Sequence, residues 1–172
     1  MDGQVVLVDI FDRALGTCEK LEAHRRGLLH RAFSVFLYHG DRLLLQQRAA
    51  HKYHSGGLWA NTCCSHPRPG EAVAGAACRR LREETGIGCQ IQEAFSFVYR
   101  HVFPDGLIEY ELDHVLIGQY GGSFAPDPEE AAVMTYVPSD ELARLLLEQP
   151  QRFAPWFVIA APQVLRLLRQ PG

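Results

Sequence analysis

Residues 71–87 read EAVAGAACRRLREETGI. Ala74, Ala77, Cys78, Leu81 and Thr85 form one small or apolar stripe at helical spacing, which predicts a helix over residues 71–85. Gly86 stands where such a helix ends in left-handed backbone. Arg80, Glu83 and Glu84 lie three and four residues apart and share one face of it. Alone, that trio reads as a solvated charged face with an internal Arg–Glu pair.

Outward from this helix the chain reads mostly as strand. Val5–Val8 is a short β-branched run. His30–Tyr38 alternates, with Phe33, Val35 and Leu37 on one side and His30, Ser34 and Phe36 on the other. A turn at His39-Gly40-Asp41 returns the chain through Leu43–Arg48. Ala49–Gly57 is a polar loop, and Leu58–Asn61 a brief strand. Ala94–Val102 and Leu107–Gly118 flank Pro104-Asp105-Gly106 and predict a hairpin. Val133–Val137 is a last strand. Ser139 is the expected N-cap of a helix through Glu148. Another helix follows Pro155, with a kink or restart expected at Pro162. The sum is an α+β chain, an α/β sandwich built on a mixed sheet with one central helix and a helical C-terminus, read as one domain over residues 1–172.

Composition excludes several classes. In 172 residues, 47% are hydrophobic and 22% charged, ordinary for a globule that needs no metal or disulfide to hold a core. The net charge of −3 gives no basic field for nucleic acid. Five cysteines, two of them adjacent, are no disulfide framework and read as a reducing compartment. Met1-Asp2-Gly3-Gln4 lacks the cationic start of a signal peptide. No apolar run approaches the roughly 20 residues of a membrane helix. A cytoplasmic protein, monomeric or weakly dimeric, with no membrane partner is expected.

Three constellations carry possible chemistry. Besides the helix there is Asn61-Thr62-Cys63-Cys64-Ser65-His66-Pro67. It could be half a zinc site, but no second cysteine pair follows at finger spacing. Cys63 reads as a buried structural cysteine, whereas Cys64 and His66 alternate and can present thiol and imidazole to one cleft. The third is Glu109-Tyr110-Glu111. Leu107, Glu109, Glu111 and Asp113 share one strand face, with Ile108, Tyr110, Leu112 and His114 on the other. An ordinary solvated face is one reading. Like charges on one face repel, so a bound cation is another, with His24, His30 and His66 as candidate partners. Spacing alone does not assemble that site.

Glu71, Arg79, Leu81, Glu83, Glu84, Gly86 and Ile87 match the spacing of the Nudix box, whose helix glutamates bind the Mg²⁺ of a diphosphate. Two positions depart from it: Ser65 replaces the first glycine and Arg80 the first helical glutamate. His24, His30-Arg31-Ala32-Phe33-Ser34, the Cys-Cys-x-His-Pro motif, the altered box and Glu109-Tyr110-Glu111 follow in one order. In this the chain resembles the type 1 isopentenyl-diphosphate delta-isomerases, a Nudix-fold family, from about Val5 past Trp156.

The resemblance implies interconversion of isopentenyl and dimethylallyl diphosphate through a tertiary carbocation, in isoprenoid biosynthesis. By the same resemblance Glu111 protonates the alkene with Tyr99 assisting, and Cys64 takes the other proton. His24, His30, His66, Glu109 and Glu111 hold one Mn²⁺ or Zn²⁺. Glu84 and the backbone carbonyl of Cys64 hold a Mg²⁺ that arrives with the diphosphate. Lys20, Arg48, Lys52 and Arg80 grip the diphosphate, and Trp156 faces the cation. Without the resemblance, Trp156 reads as core packing beside Phe157 and Ile159.

Two other readings compete. A Nudix hydrolase of a nucleoside diphosphate derivative would keep a full set of helix carboxylates, and Arg80 speaks against it. A non-catalytic metal-binding Nudix domain would have no need of the proposed chemical groups.

Overall fold

The computed structural model describes residues 3–169, so the ends of the expected 1–172 unit, including Met1 and Asp2, lie outside the described residues. Strand β3 (His30–His39) is the axis of the sheet. Strand β8 (Ile108–Gln119) runs parallel to it on one edge, from His30↔Glu111 to Tyr38↔Gln119. Three strands share the other edge in turn. These are β1 (Gln4–Val8) at His30, β6 (Cys63–Ser65) at Phe33 to Val35, and β4 (Arg42–Arg48) from Leu37 onward. Strand β2 (Ala14–Glu19) extends β1, β7 (Gln92–Val102) extends β8, and β5 (Trp59–Ala60) and β9 (Ala131–Pro138) pair with β4.

Asn61 and Thr62 explain how β6 enters beside β3. The Thr62 hydroxyl donates to the Leu44 carbonyl at 2.7 Å and accepts from Leu37 N–H at 3.0 Å. Asn61 Nδ2 donates to the carbonyls of Val35 and Cys63. Side chains thus take the place of ladder bonds where β3 and β4 part.

Alternation on β3 sends its two faces into two cores. Phe33, Val35 and Leu37 pack with Leu116 and helix α2 (Val73–Thr85). Phe36 packs with Val115, Trp156 and Phe157 under helices α3 (Ser139–Glu148) and α4 (Pro155–Arg169). A short helix α1 (Lys20–Arg26) precedes β3.

The sandwich and the hairpins follow the sequence reading, with four corrections. Helix α2 begins at Val73, not Glu71, whose carboxylate instead accepts from Arg68 N–H and from Arg79. Its buried face is Ala76, Ala77, Leu81, Glu84 and Thr85, while Ala74 and Cys78 are exposed. Ser139 is the first helical residue rather than the cap, and its hydroxyl donates to the Asp41 carbonyl. Helix α4 continues through Pro162 without a restart. Gly86 does end α2, at φ 72°. Among the described residues no helix is long and apolar enough to cross a membrane.

Candidate active site

Parallel pairing of His30 with Glu111 puts both side chains on the α4 face of the sheet. Antiparallel pairing of Ser34 with Cys64, and of Tyr99 with Glu111, adds those side chains to the same face. Cys64 therefore reaches one cavity from one edge of β3 and Glu111 from the other. The cavity, about 40 Å³, is also lined by Lys20, Arg48, His54, His66, Glu109 and Trp156. A wider groove of about 520 Å³ shares Lys20, Ser65 and His66 with it and is walled by Arg68, Arg79 and Arg80.

The strand face of Glu109, Glu111 and Asp113 is buried rather than solvated. His66 Nε2 lies 2.9 Å from Glu111 Oε1, His30 Nε2 3.4 Å and His24 Nε2 4.0 Å. His24 Nδ1 donates to the Lys20 carbonyl at 2.6 Å and His30 Nδ1 to that of Leu28 at 2.8 Å. These bonds place each ring's proton on Nδ1 and leave the lone pair on Nε2. Both Nε2 atoms are buried and without a hydrogen-bond partner among the described residues. Lone pairs converging on a carboxylate repel it unless a cation lies between them. His24, His30, His66 and Glu111 have ligand atoms mutually within 4.8 Å, and a second group joins His24 to His54 and Glu109. The donor set fits a divalent transition metal, with backbone carbonyls behind two imidazoles as outer partners.

Electrostatics follow from burial. Burial pushes the imidazole of His66 down to about 3 and that of His54 to about 2. Both rings are thus neutral near pH 7, the form that ligates a metal. Burial and the neighbouring Glu111 hold Glu109 well above the usual carboxylate range. Burial also opposes ionisation of Glu111, but the hydrogen bond from His66 outweighs it and holds Glu111 well below that range. The Tyr99 hydroxyl lies 2.8 Å from Glu111 Oε2 and 3.0 Å from Glu109 Oε2. With no cation bound, a protonated Glu109 donating to Tyr99, with Tyr99 donating to Glu111, satisfies all three groups; a bound cation would take the place of that proton.

On the opposite edge, burial pushes the Cys64 thiol up to about 12, against the pull of Arg48. Arg48 Nη1 lies 3.5 Å from Cys64 Sγ, and its guanidinium sits 5.2 Å over the Trp156 ring. Trp156 Nε1 donates to Asn61 Oδ1 at 2.9 Å. Trp156 is thus both core and cavity wall, which joins the two readings of it.

The four expected diphosphate cations divide. Lys20 and Arg48 line the cavity. Lys52 is ion-paired with Glu130. Arg80 binds Glu83 at 2.9 Å, Glu84 at 2.6 Å and Glu130 at 3.2 Å, and lines the outer groove. Glu84 is buried against Cys63, whose thiol lies 3.4 Å from Glu84 Oε2, so Cys63 is a buried structural residue.

Sequence reasoning missed three residues of this cluster. His54 sits in the loop before β5 and carries no periodic signal. Asn61, at the flank of the Cys-Cys-x-His-Pro motif, carries no signal of its own. Asp113 was placed on the right strand face, but its burial and its bond from Ser34 Oγ at 2.8 Å were not foreseen.

The NUDIX domain family pattern matches residues 28–157. Isopentenyl-diphosphate Delta-isomerase 2 of Aromatoleum aromaticum is 49% identical over 166 residues, covering 96% of this chain and 88% of that protein. The isopentenyl-diphosphate Delta-isomerase of Burkholderia multivorans is 48% identical over 158 residues, covering 91% and 90%. Among solved structures, DR0079 from Deinococcus radiodurans superposes with a TM-score of 0.76 at 16% identity, covering 97% of this chain and 99% of that one. The NUDIX domain of Shewanella oneidensis NrtR superposes at 0.59 with 18% identity, covering 81% and 87%. The structures speak for the fold alone; the sequence relatives carry the family. With relatives 48% and 49% identical over more than nine-tenths of its length, the chain belongs to the Nudix-fold isopentenyl-diphosphate Delta-isomerases.

Proposed function

We propose that this chain interconverts isopentenyl diphosphate and dimethylallyl diphosphate for isoprenoid synthesis in the cytoplasm, acting as a monomer or weak homodimer. The observation that supports this most is the placement of Cys64 and Glu111 at the two edges of β3, facing one buried cavity. An allylic shift needs two proton carriers flanking one substrate. In the forward direction a proton passes from Glu111, with Tyr99 assisting, to the terminal methylene, leaving a tertiary cation. Cys64, entering the cycle as the thiolate, takes a proton from C2 and becomes the thiol, and the new double bond forms. The reverse direction exchanges the roles.

The remaining residues hold and shield. Lys20 and Arg48 bind diphosphate oxygens at the cavity, and Arg80 with Lys52 does so from the outer groove once their bonds to Glu130 yield. Trp156 presents its ring to the cation, a contact worth up to about 2 kcal/mol when desolvated. His24, His30, His66, Glu109 and Glu111 would hold Mn²⁺ or Zn²⁺, and Glu84 with the Cys64 carbonyl a Mg²⁺ bound to the diphosphate. Such cations supply fixed positive charge that orients the carboxylates and neutralises the diphosphate. Burial of the cavity keeps water from capturing the carbocation.

The test is incubation with isopentenyl diphosphate and Mg²⁺ in deuterated water. Deuterium is expected in a methyl group of dimethylallyl diphosphate, with no phosphate set free. Phosphate release without exchange would replace this reading by hydrolysis.

A further inference from the structure

His54 is a buried cavity histidine that the five-residue metal set does not include. It lies in the loop between β4 and β5, and its side chain is 6% exposed. Its ring is enclosed by Tyr53 at 4.5 Å, Phe103 at 5.0 Å and Trp156 at 6.0 Å between centroids. Packing accounts for the ring but not for its nitrogens. Nε2 is 3.1 Å from Glu109 Oε1, and Nδ1 is buried without a hydrogen-bond partner among the described residues. If Nε2 carries the proton, the Nδ1 lone pair faces no donor. If Nδ1 carries it, the Nε2 lone pair confronts a carboxylate. A cation between Nε2 and Glu109 turns that second contact into attraction.

His24 links this pair to the rest of the site. Its Nδ1 is engaged by the Lys20 carbonyl, so it has one lone pair to offer, on Nε2. Yet His24 belongs both to the group with His30, His66 and Glu111 and to the group with His54 and Glu109. One lone pair serves one cation, so the two groups are flanks of a single centre. Metal–nitrogen bonds of about 2.1 Å put neighbouring octahedral ligands about 3.0 Å apart and opposite ones about 4.2 Å apart. The contacts around Glu111, 2.9, 3.4 and 4.0 Å, and the His54–Glu109 contact of 3.1 Å are each close to such spacings, and a cation held through His24 would draw the two flanks together.

We propose that His54 is a fourth imidazole donor of this centre, completing a set of four histidines and two glutamates. The inference rests on the reading of the His/Glu cluster as a metal site. Its consequence is twofold. Nitrogen-rich donors favour Zn²⁺ or Co²⁺ over Mg²⁺. Ligation by His54 also ties the 49–58 loop, which carries Lys52, to the centre, so metal binding orders one wall of the cavity.

The test uses the full chain stripped of metal by a chelator, as wild type, His54→Phe, His54→Gln and His66→Ala. Zn²⁺ affinity is measured by competition with a chromophoric chelator, and Co²⁺ binding by visible absorption. Phe keeps the ring packing, and Gln keeps an N–H toward Glu109 without an imidazole. If either variant fails to fold, as judged by circular dichroism, the other carries the comparison. Both are expected to lose more than about 100-fold in Zn²⁺ affinity, beyond the 10–100-fold typical of an outer partner, and to alter the Co²⁺ bands. In wild type, Zn²⁺ should slow amide exchange over residues 49–58, and His54→Phe should abolish that protection. Affinity within tenfold of wild type and an unchanged Co²⁺ spectrum in His54→Gln would make His54 a hydrogen-bond donor and overturn the proposal. Wild type with no tight Zn²⁺ site, matched by His66→Ala, would instead remove the centre itself and this inference with it.

Discussion

Cys64 and Cys63 are neighbours in sequence with opposite fates, because strand β6 alternates. Cys63 points into the α2 core and bonds Glu84, while Cys64 points into the cavity beside Arg48. Cys64→Ala and Glu111→Gln should each lower kcat by at least about 10²–10⁴-fold, since each removes a proton carrier. Cys63→Ala should retain most turnover and lose stability, because it leaves Glu84 short of a donor. Equal kinetic losses at Cys63 and Cys64 would refute the assignment. The resting protonation adds a second point. On the roles proposed above, a Cys64 thiol and a Glu111 carboxylate would be the state left after forward turnover and consumed by the reverse reaction. A proton must therefore return from sulfur to carboxylate between forward cycles.

At the scale of elements, α2 shows what was legible in the sequence. Its existence and its Gly86 stop could be read from periodicity, but its rotation could not. Ala77, Leu81 and Thr85 of the expected stripe are buried, but Ala74 and Cys78 turn outward and Ala76 and Glu84 complete the true face. A buried glutamate is invisible to a hydrophobic pattern, and only packing against Cys63 and Arg80 makes it internal. Strand β2 escaped because five of its six residues are exposed and show no alternation. Helix α1 has seven residues, too few for a periodic signal. The motifs fared better, since Cys64, His66, Glu109 and Glu111 lie on strands whose period of two sorts their faces directly. His54, in an irregular loop, had no such period. The rotation of α2 sharpens the role of Arg80, which bridges Glu83, Glu84 and Glu130. Arg80→Gln should raise the KM for isopentenyl diphosphate by about 10-fold or more, with a charge-assisted contact of roughly 1.5–3 kcal/mol lost. It should also lower Tm, as Glu84 loses its buried partner. Phosphate release should stay absent, since one substitution supplies neither attacking water nor base. A lowered Tm with unchanged KM would confine Arg80 to structure.

Over the whole molecule, the buried ionisable cluster sets how metal-free stability varies with pH. His54 and His66 titrate in the native protein at about 2 and about 3, against 6.5 when unfolded. As pH falls below 6.5 the unfolded chain takes up protons that the native histidines refuse. Stability then falls with pH, by up to roughly 1.4 kcal/mol per pH unit for each ring. Asp113 and Glu109 act with the opposite sign. Burial, with Glu111 nearby, raises both above their ordinary 3.8 and 4.5. The native state therefore holds protons that the unfolded chain has released, and stability from these groups grows as pH falls toward their ordinary values. The two effects overlap between about pH 6.5 and 4.5, so wild type should show a shallow profile there. Single substitutions separate them. In chelator, His54→Phe should gain on wild type as pH drops through that window, by up to roughly 1.4 kcal/mol per unit. Asp113→Asn should lose ground over the same range, since it no longer takes up a native-state proton. Urea unfolding at half-unit steps of pH measures both differences. Curves for His54→Phe and wild type that stay parallel from pH 6.5 to 4.5 would mean that the ring is not held neutral by burial. The gain of His54→Phe should persist when Zn²⁺ is restored, because a ligating imidazole, like a buried neutral one, takes up no proton until the cation leaves.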